Sequence, residues 1–519
     1  MIPTRRSPAR IAIVAVAALL IVGFSAAGQD ATSAGTSTTQ PASWPTHAHD
    51  AQHTAVSSVA AQSFGSIHWS APVDLDPQVE TGGEILIHYG SPLITPANTV
   101  IVPVKTGANS FRVDARNGST GSLMWTHNTN YKVPFASFTP SFGPALSGNK
   151  LFVPAAGGVV VVRQSPDAAT GPESALIFYG SANFAADPSA YEANVEINTP
   201  ITADANGNIY FGFIVLGPTP IGLQSGLARV SASGQGTWVS ATAASNDSNI
   251  TKVNMNCAPA ISKDGRILYV GVDDFDFGYG YLLALDSTTL KTLKAARLID
   301  PWSGLNATIT DESSATPTVG PDGDVYFGVL ENPFPSHNDR GWLLHFDRTL
   351  NQQKIPGSFG WDDTASIVDA SLVASYHGAS SYLLMTKYNN YADFGIGDGV
   401  NKIAVLDPNA TEPDPLLPVT SVMNEVLTIK GVTPDPDFPH LPGAVREWCI
   451  NSAAVDPITK SILANSEDGK LYRWDLTTNQ FSQRITLTAG IGEAYTPTVI
   501  GSDGTAYAIN DAILFAVGK

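Results

Sequence analysis

Four stretches of the chain share one alternation of small apolar, polar and aromatic positions: TPITADANGNIYFG from Thr199, APAISKDGRILYVG from Ala258, TPTVGPDGDVYFG from Thr316 and TPTVIGSDGTAYAI from Thr496. Looser copies begin at Ser91, Gly143 and Asn451. In each close copy a proline opens a short apolar strand, where its missing N–H removes no needed ladder bond. Asn-Gly or Asp-Gly then supplies the positive φ of a tight turn. The return strand carries Tyr210, Tyr269, Tyr326 or Tyr507. A third strand ends on aspartate: GYLLALD to Asp286, GWLLHFD to Asp347, NKIAVLD to Asp407 and GKLYRWD to Asp475. Fourth strands are predicted at GSLMWTHN after Asp114, ALIFYG near Ser174 and FSQRITLT near Phe481.

Four antiparallel strands per repeat make the blade of a β-propeller. First strands near Ser91, Gly143, Thr199, Ala258, Thr316, Ile367, Ser452 and Thr496 predict an all-β, eight-bladed propeller as one domain over residues 44–519. The sixth copy, SIVDASLVASYHGASSYLLMT, lacks both the proline and the Asp-Gly turn. The eighth stops after three strands, and SIHWSAPV, Ser66 to Val73, is predicted to supply the fourth from the N-terminus. That pairing closes the ring and removes an open sheet edge. The Pro- and acid-rich stretch 407–448 reads as an insertion that decorates one face and caps the channel.

At the N-terminus, Arg5, Arg6 and Arg10 precede an apolar run from Ile11 to Phe24 and the small residues Ser25-Ala26-Ala27. This predicts a signal peptide over 1–27, with general secretory or twin-arginine export both open, followed by a flexible leader over 28–43. No cysteine follows the run to carry a lipid, and no later stretch has the ~20 apolar residues of a membrane helix. The expectation is an exported, periplasmic or secreted monomer. With 46 acidic against 28 basic residues and a net charge of −18, the chain repels phosphate backbones, so nucleic acid is excluded as a partner.

The segment FRVDARNGSTGSLMW, Phe111 to Trp125, resembles the repeat of the quinoprotein alcohol dehydrogenase-like propellers, the PQQ-like repeat family. In that repeat a strand ends in Asp, a Thr-Gly or Ser-Gly turn follows, and a Trp lies on the outer strand. The opening stretch WPTHAHDAQHTAVSS, followed by Ile67-His68-Trp69, is similar to the start of many secreted members. The resemblance spans residues 44–519 and implies the eight-bladed fold. Its members include dehydrogenases and assembly scaffolds, so the likeness does not choose a function. The enzymes bind pyrroloquinoline quinone and calcium, often beneath a ring of two adjacent cysteines. Here Cys257 and Cys449 are far apart, in the first strands of blades four and seven, and a disulfide, two buried thiols or a functional role all stay open. No Cys-x-x-Cys-His haem motif is present.

Residues just ahead of the first strands are expected to ring the channel mouth: His88 and Tyr89, Asn198, Asn254 and Asn256, Asp311 and Glu312, Asp369, Glu447, Trp448, Asn451, Glu493 and Tyr495. Of these, Tyr89, Asn198, Asn256, Asp369, Glu447, Trp448, Asn451, Glu493 and Tyr495 are the ligand-binding candidates, with Trp448 as a stacking platform and Asp369, Glu447 and Asn451 as oxygen ligands for calcium. The loops DDFDFGYGY from Asp273 and YNNYADFGIGDG from Tyr388 mix acids with aromatics and suit a glycan or peptide surface. The DANGN, KDGR, PDGD and SDGT segments lack the later bidentate Glu of a calcium loop and read as turns.

His47, His49 and His53 beside Asp50 form a plausible metal set, which the segment's position before the closing strand recasts as an anchor made of Trp44, Asp50, His53 and Thr54. No hydrolase, zincin or phosphate-loop motif occurs. The leading expectation is a secreted, non-catalytic propeller that binds a small-molecule, glycan or protein partner, with no cofactor. The alternatives are a quinone- and calcium-dependent alcohol or sugar dehydrogenase, through the family resemblance alone, and an envelope-assembly scaffold.

Overall fold

The computed structural model describes residues 43–78, 89–134, 142–274, 277–311, 313–351, 353–490 and 495–519; His88, Glu312, Glu493 and the predicted signal peptide lie outside them. Eight antiparallel sheets follow one another along the chain. Blade one is Leu93–Ile94, Thr99–Gly107, Ser110–Asn117 and Leu123–Thr129; blade seven is Ala454–Asp456, Ser461–Asn465, Lys470–Asp475 and Gln480–Thr486. The repeat is exact enough in register that Thr202 faces Tyr210, Ala260 faces Tyr269, Thr318 faces Tyr326 and Val499 faces Tyr507. These tyrosines are buried, as are Trp342 and Trp474, so the blades pack face to face through continuous apolar layers. Each such side chain contributes about 1.5–3 kcal/mol by leaving water.

Ser66–Pro72 pairs with Ile513–Gly518 and completes blade eight, as the pattern predicts. The Asp-Gly and Asn-Gly turns also hold, with Gly207 at φ 84°, Gly265 at 73°, Gly323 at 94° and Gly504 at 85°. The aspartates ending third strands cap the next turn: Asp286 Oδ1 accepts from the Thr288 and Thr289 amides, and Asp475 Oδ1 from those of Thr477 and Thr478. In blade one Asn117 does this, while Asp114 is buried against Arg112 and Arg116.

Stretch 407–448 is not all insertion. Its first part extends the third strand of blade six, Lys402–Pro413, and Ser421–Lys430 is that blade's fourth strand. Only the run from residue 431 returns toward blade seven.

Residues 44–57 wind inside the ring and touch the blades in order. Trp44 exchanges main-chain bonds with Ile94 of blade one at 2.9 Å each, and Leu146 N donates to Pro45 O. Thr46 Oγ1 donates to Ile201 O of blade three. Ile261, Val319, Ile367 and Val455 of blades four to seven donate to the carbonyls of Ala51, Gln52, Thr54 and Ala55 at 2.7–2.9 Å. Seven inner strands would otherwise expose these groups to the channel, so one segment satisfies them all. Its tight curl uses left-handed backbone at Ala48, His49, His53 and Ala55, which costs roughly 1 kcal/mol or more per residue. The segment is therefore the floor of the channel, and the loops entering the first strands, with those joining second to third strands, form its mouth.

Candidate functional site: the channel mouth

The second strand of blade six, Tyr382–Lys387, is buried throughout and apolar up to Thr386 and Lys387 at its end. That residue, Lys387, is 0% exposed, and its Nζ makes no hydrogen bond with any described residue. Among the described residues its nearest carboxylate oxygen is Asp362 Oδ2 at 3.9 Å, and the Tyr495 ring centroid lies 5.0 Å away. Next to it, Asp363 is 2% exposed and its Oδ2 is equally unpartnered. Burial holds the Asp363 carboxyl well above the usual carboxylate range, against the pull of Lys387. Asp339, from the loop after Glu331, is pushed up to about 8 by burial and by the Glu331 charge.

On the blade-seven side stand Glu447, Cys449 and Glu467. Burial raises the first and last of these above the usual glutamate range, helped by the Glu467 charge at Glu447 and by the Asp435 charge at Glu467. Cys449 Sγ is 3.5 Å from Glu467 Oε2 and 4.0 Å from Glu447 Oε2. Neither Cys449 nor Cys257 forms a disulfide, and Cys257 lies in the core with its thiol pushed up to about 12 by burial.

The blade-four side is built differently. Lys252 Nζ is 2.7 Å from both Asp273 Oδ1 and Asp311 Oδ1. Asn254 Nδ2 donates to Asp273 Oδ2 at 2.9 Å, and Asn256 Nδ2 to Asp311 O at 3.2 Å. Asn198 ties blade three to this network by donating to Val253 O at 2.7 Å. These asparagines crosslink neighbouring blades, and Asn198 and Asn256 each leave their Oδ1 without a partner among the described residues.

The sequence-predicted residues divide accordingly. Glu447 and Tyr495 lie on the blade six-to-seven side of the mouth. Asn451 is fully buried beneath it, donating to Ser314 O and Thr364 Oγ1. Tyr89 is turned inward, its hydroxyl donating to Asp74 Oδ2 at 3.0 Å. Two placements need correction. Trp448 is 1% exposed and packs against Tyr472 and Phe481, because the core beneath blade seven takes its ring; it cannot stack on a ligand in the channel. Asp369 is the last residue of the first strand Ser366–Asp369, exposed at the floor end beside Val56, because that strand starts within a residue of Ile367 and runs on through Asp369 rather than following it. The calcium trio of Asp369, Glu447 and Asn451 therefore does not assemble. Pattern reading missed Lys387, Asp363, Asp339 and Glu467. For Lys387 and Glu467 the signal is a charge at or just past the end of a second strand, as also at Asp273, whereas Asp363 stands in the run into a first strand and Asp339 deep in a loop between strands.

The three histidines do not converge either. His47 and His53 meet edge to face at 5.6 Å, while His49 turns to Asp50 and to the edge of Trp44. His53 Nδ1 contacts Pro317 O at 2.8 Å. Asp50 caps the following turn, accepting from the Gln52 and Thr54 amides. Among the described residues no helix is long and apolar enough to cross a membrane.

No family model and no curated protein matches the chain. Solved structures do. A europium-containing methanol dehydrogenase is 10% identical with a TM-score of 0.50, covering 91% of this chain and 89% of its own. The quinohemoprotein alcohol dehydrogenase of Comamonas testosteroni is 12% identical with a TM-score of 0.51, covering 92% and 81%. BamB from Moraxella catarrhalis is 12% identical with a TM-score of 0.45, covering 88% and 97%. The first two show that this chain has the fold of the quinoprotein dehydrogenase-like propellers; at such identity they show the fold alone.

Proposed function

We propose that this is an exported, non-catalytic propeller that binds a polar ligand or a protein partner through its channel mouth and surrounding loops. The observation that carries the reading is the pair Lys387 and Asp363, a buried ammonium and a buried carboxylate with hydrogen-bonding capacity that no described residue uses. Buried polar groups are ordinarily satisfied. Here the floor is sealed by residues 44–57, so the partner must come from the mouth.

The rim offers a partner-binding surface as well. Phe334 and Phe394, 51% and 39% exposed, stack edge to face at 5.7 Å beside Ile396, which is 81% exposed. This patch favours a protein partner, and an assembly scaffold is its extreme form.

The quinone reading fits poorly. Trp448 is locked in the core, the calcium trio is dispersed, and there is no adjacent cysteine pair.

The test is a thermal-shift panel of neutral and acidic glycans, peptides, and pyrroloquinoline quinone with calcium, run on the wild type and Lys387→Met. A stabilising ligand whose effect Lys387→Met abolishes supports the mouth site. A shift and a bound-quinone absorption band with quinone and calcium would overturn the non-catalytic reading, and a ligand indifferent to Lys387→Met would move the site elsewhere.

A further inference from the structure

We propose that Glu447, Cys449 and Glu467 bind a thiophilic divalent cation, of the zinc or cobalt type, at the rim of the mouth. The three ligand atoms, one thiol sulfur and two carboxylate oxygens, all lie within 4.8 Å of one another. A tetrahedral ion with bonds of about 2.0–2.3 Å separates its ligands by roughly 3.3–3.8 Å, so a closing motion of at most about 1–1.5 Å completes the set.

The frame that holds them is rigid. Glu447 and Cys449 are two residues apart in the run into blade seven, and Glu467 sits in the turn between that blade's second and third strands. Glu447 N donates to Glu467 Oε1 at 3.1 Å, and Ser466 Oγ donates to Glu447 O at 3.0 Å. The two segments are thus pinned together before any ion arrives.

The protein's own cations leave this cluster under-compensated. Arg446 Nη1 is 3.6 Å from Glu467 Oε1, but it is closer to Asp437 Oδ2 at 2.6 Å and Asp435 Oδ1 at 3.4 Å. One guanidinium serves three carboxylates, and Glu447 has no ion pair among the described residues. A thiol has a single weak proton to donate, which cannot satisfy two carboxylates.

An independent group also points at the cluster. Tyr391 is 6% exposed, and burial first, then the charges of Glu447 and Cys449, hold its hydroxyl well above the usual phenol range. It accepts from Asn389 Nδ2 at 3.2 Å, and its own proton finds no acceptor among the described residues. It offers a neutral oxygen to the ion or to a water completing its shell.

Sulfur selects the metal. Calcium and magnesium take oxygen ligands, whereas a thiolate with two carboxylates suits zinc and its spectroscopic substitute cobalt. Binding exchanges ligand protons for the metal: the thiol releases its proton as the metal–sulfur bond forms, any carboxyl that held a proton releases it too, and affinity rises with pH.

This site does not depend on the Lys387 reading. The experiment is a cobalt(II) titration of the metal-stripped, folded protein. One equivalent is expected to produce a thiolate-to-cobalt charge-transfer band in the near ultraviolet, which zinc abolishes. Cys449→Ser should remove the band, Cys257→Ser should retain it, and Glu467→Gln should weaken zinc binding at least tenfold by calorimetry. Circular dichroism of each variant separates loss of metal from loss of fold, and if Cys449→Ser does not fold, Glu447→Gln carries the test. No one-to-one band in the wild type, or a band that survives Cys449→Ser or moves with Cys257→Ser, overturns the proposal.

Discussion

Two lysines are buried on different sides of the same channel mouth, and the chain treats them in opposite ways. Lys252, 3% exposed, sits between Asp273 and Asp311 at 2.7 Å from each. Lys387, 0% exposed, has no hydrogen bond among the described residues, and the nearest carboxylate oxygen among them is at 3.9 Å. A buried charge is tolerated when paired and hydrogen-bonded, and costs several kcal/mol when it is not. The first lysine belongs to the architecture, holding the run before blade four against blade five. The second is a stored deficit at a concave surface, which is the signature of a place kept for something else. The floor shows a third treatment, in which the buried titratable groups stay neutral.

The largest expected effect breaks the paired side. Lys252→Met leaves Asp273 and Asp311 buried without their cation, and should cost about 3–5 kcal/mol in denaturant-derived stability. Lys387→Met removes a buried charge held only by a 3.9 Å ion pair and by no hydrogen bond among the described residues, so it should change stability by less than about 1 kcal/mol or even raise it. Equal losses from the two substitutions would erase the distinction.

The floor gives the next effect, through pH. Burial pushes His47 down to about 3, with His53 adding to it, and His53 down to about 4. The unfolded chain protonates both near pH 6.5. Stability from these groups is therefore fully present above pH 6.5 and lost as pH falls through the folded values. At pH 5 the loss is about 2 kcal/mol for each histidine. The carboxyls of the mouth act in the opposite sense: Asp339, raised to about 8, favours folding at low pH and loses that contribution as pH rises toward 8. The histidine part is isolated by comparing wild type with a His47→Gln/His53→Gln variant from pH 7 to 5. The variant should show a weaker decline, and parallel curves would refute the assignment.

The fold was legible because a propeller repeats its instructions. Proline, Asp-Gly turn, aromatic return strand and terminal aspartate recur, and each copy corroborates the others. Even the closing strand followed from counting, since Ile513–Gly518 lacked a neighbour. The site was less legible because a channel mouth gathers one or two residues from each of several blades, and no local spacing encodes their meeting. Trp448 illustrates this: its position before a first strand suggested the channel, but its neighbours Tyr472 and Phe481 draw it into the core. Likewise the winding of residues 44–57 past seven blades leaves no periodic trace, because successive residues serve different strands.

The smallest predicted effect tests which end of the channel matters. Asp369 precedes a short turn of helix, Ala370–Leu372, and its Oδ1 accepts from the Ser371 amide at 2.9 Å and its hydroxyl at 2.6 Å. Asp369→Ala should thus cost about 0.5–1 kcal/mol, the usual loss of an N-terminal cap. It stands at the floor end, across the sealed segment from Lys387 and Cys449, so it should leave both the cobalt band and any ligand-induced thermal shift unchanged. A change in either would mean that the floor and the mouth communicate through residues 44–57. The polar chain from His53 through Thr316 and Thr364 to Asn451 would then be the route to examine, since its contacts of 3.1, 3.4 and 3.2 Å already link the two ends.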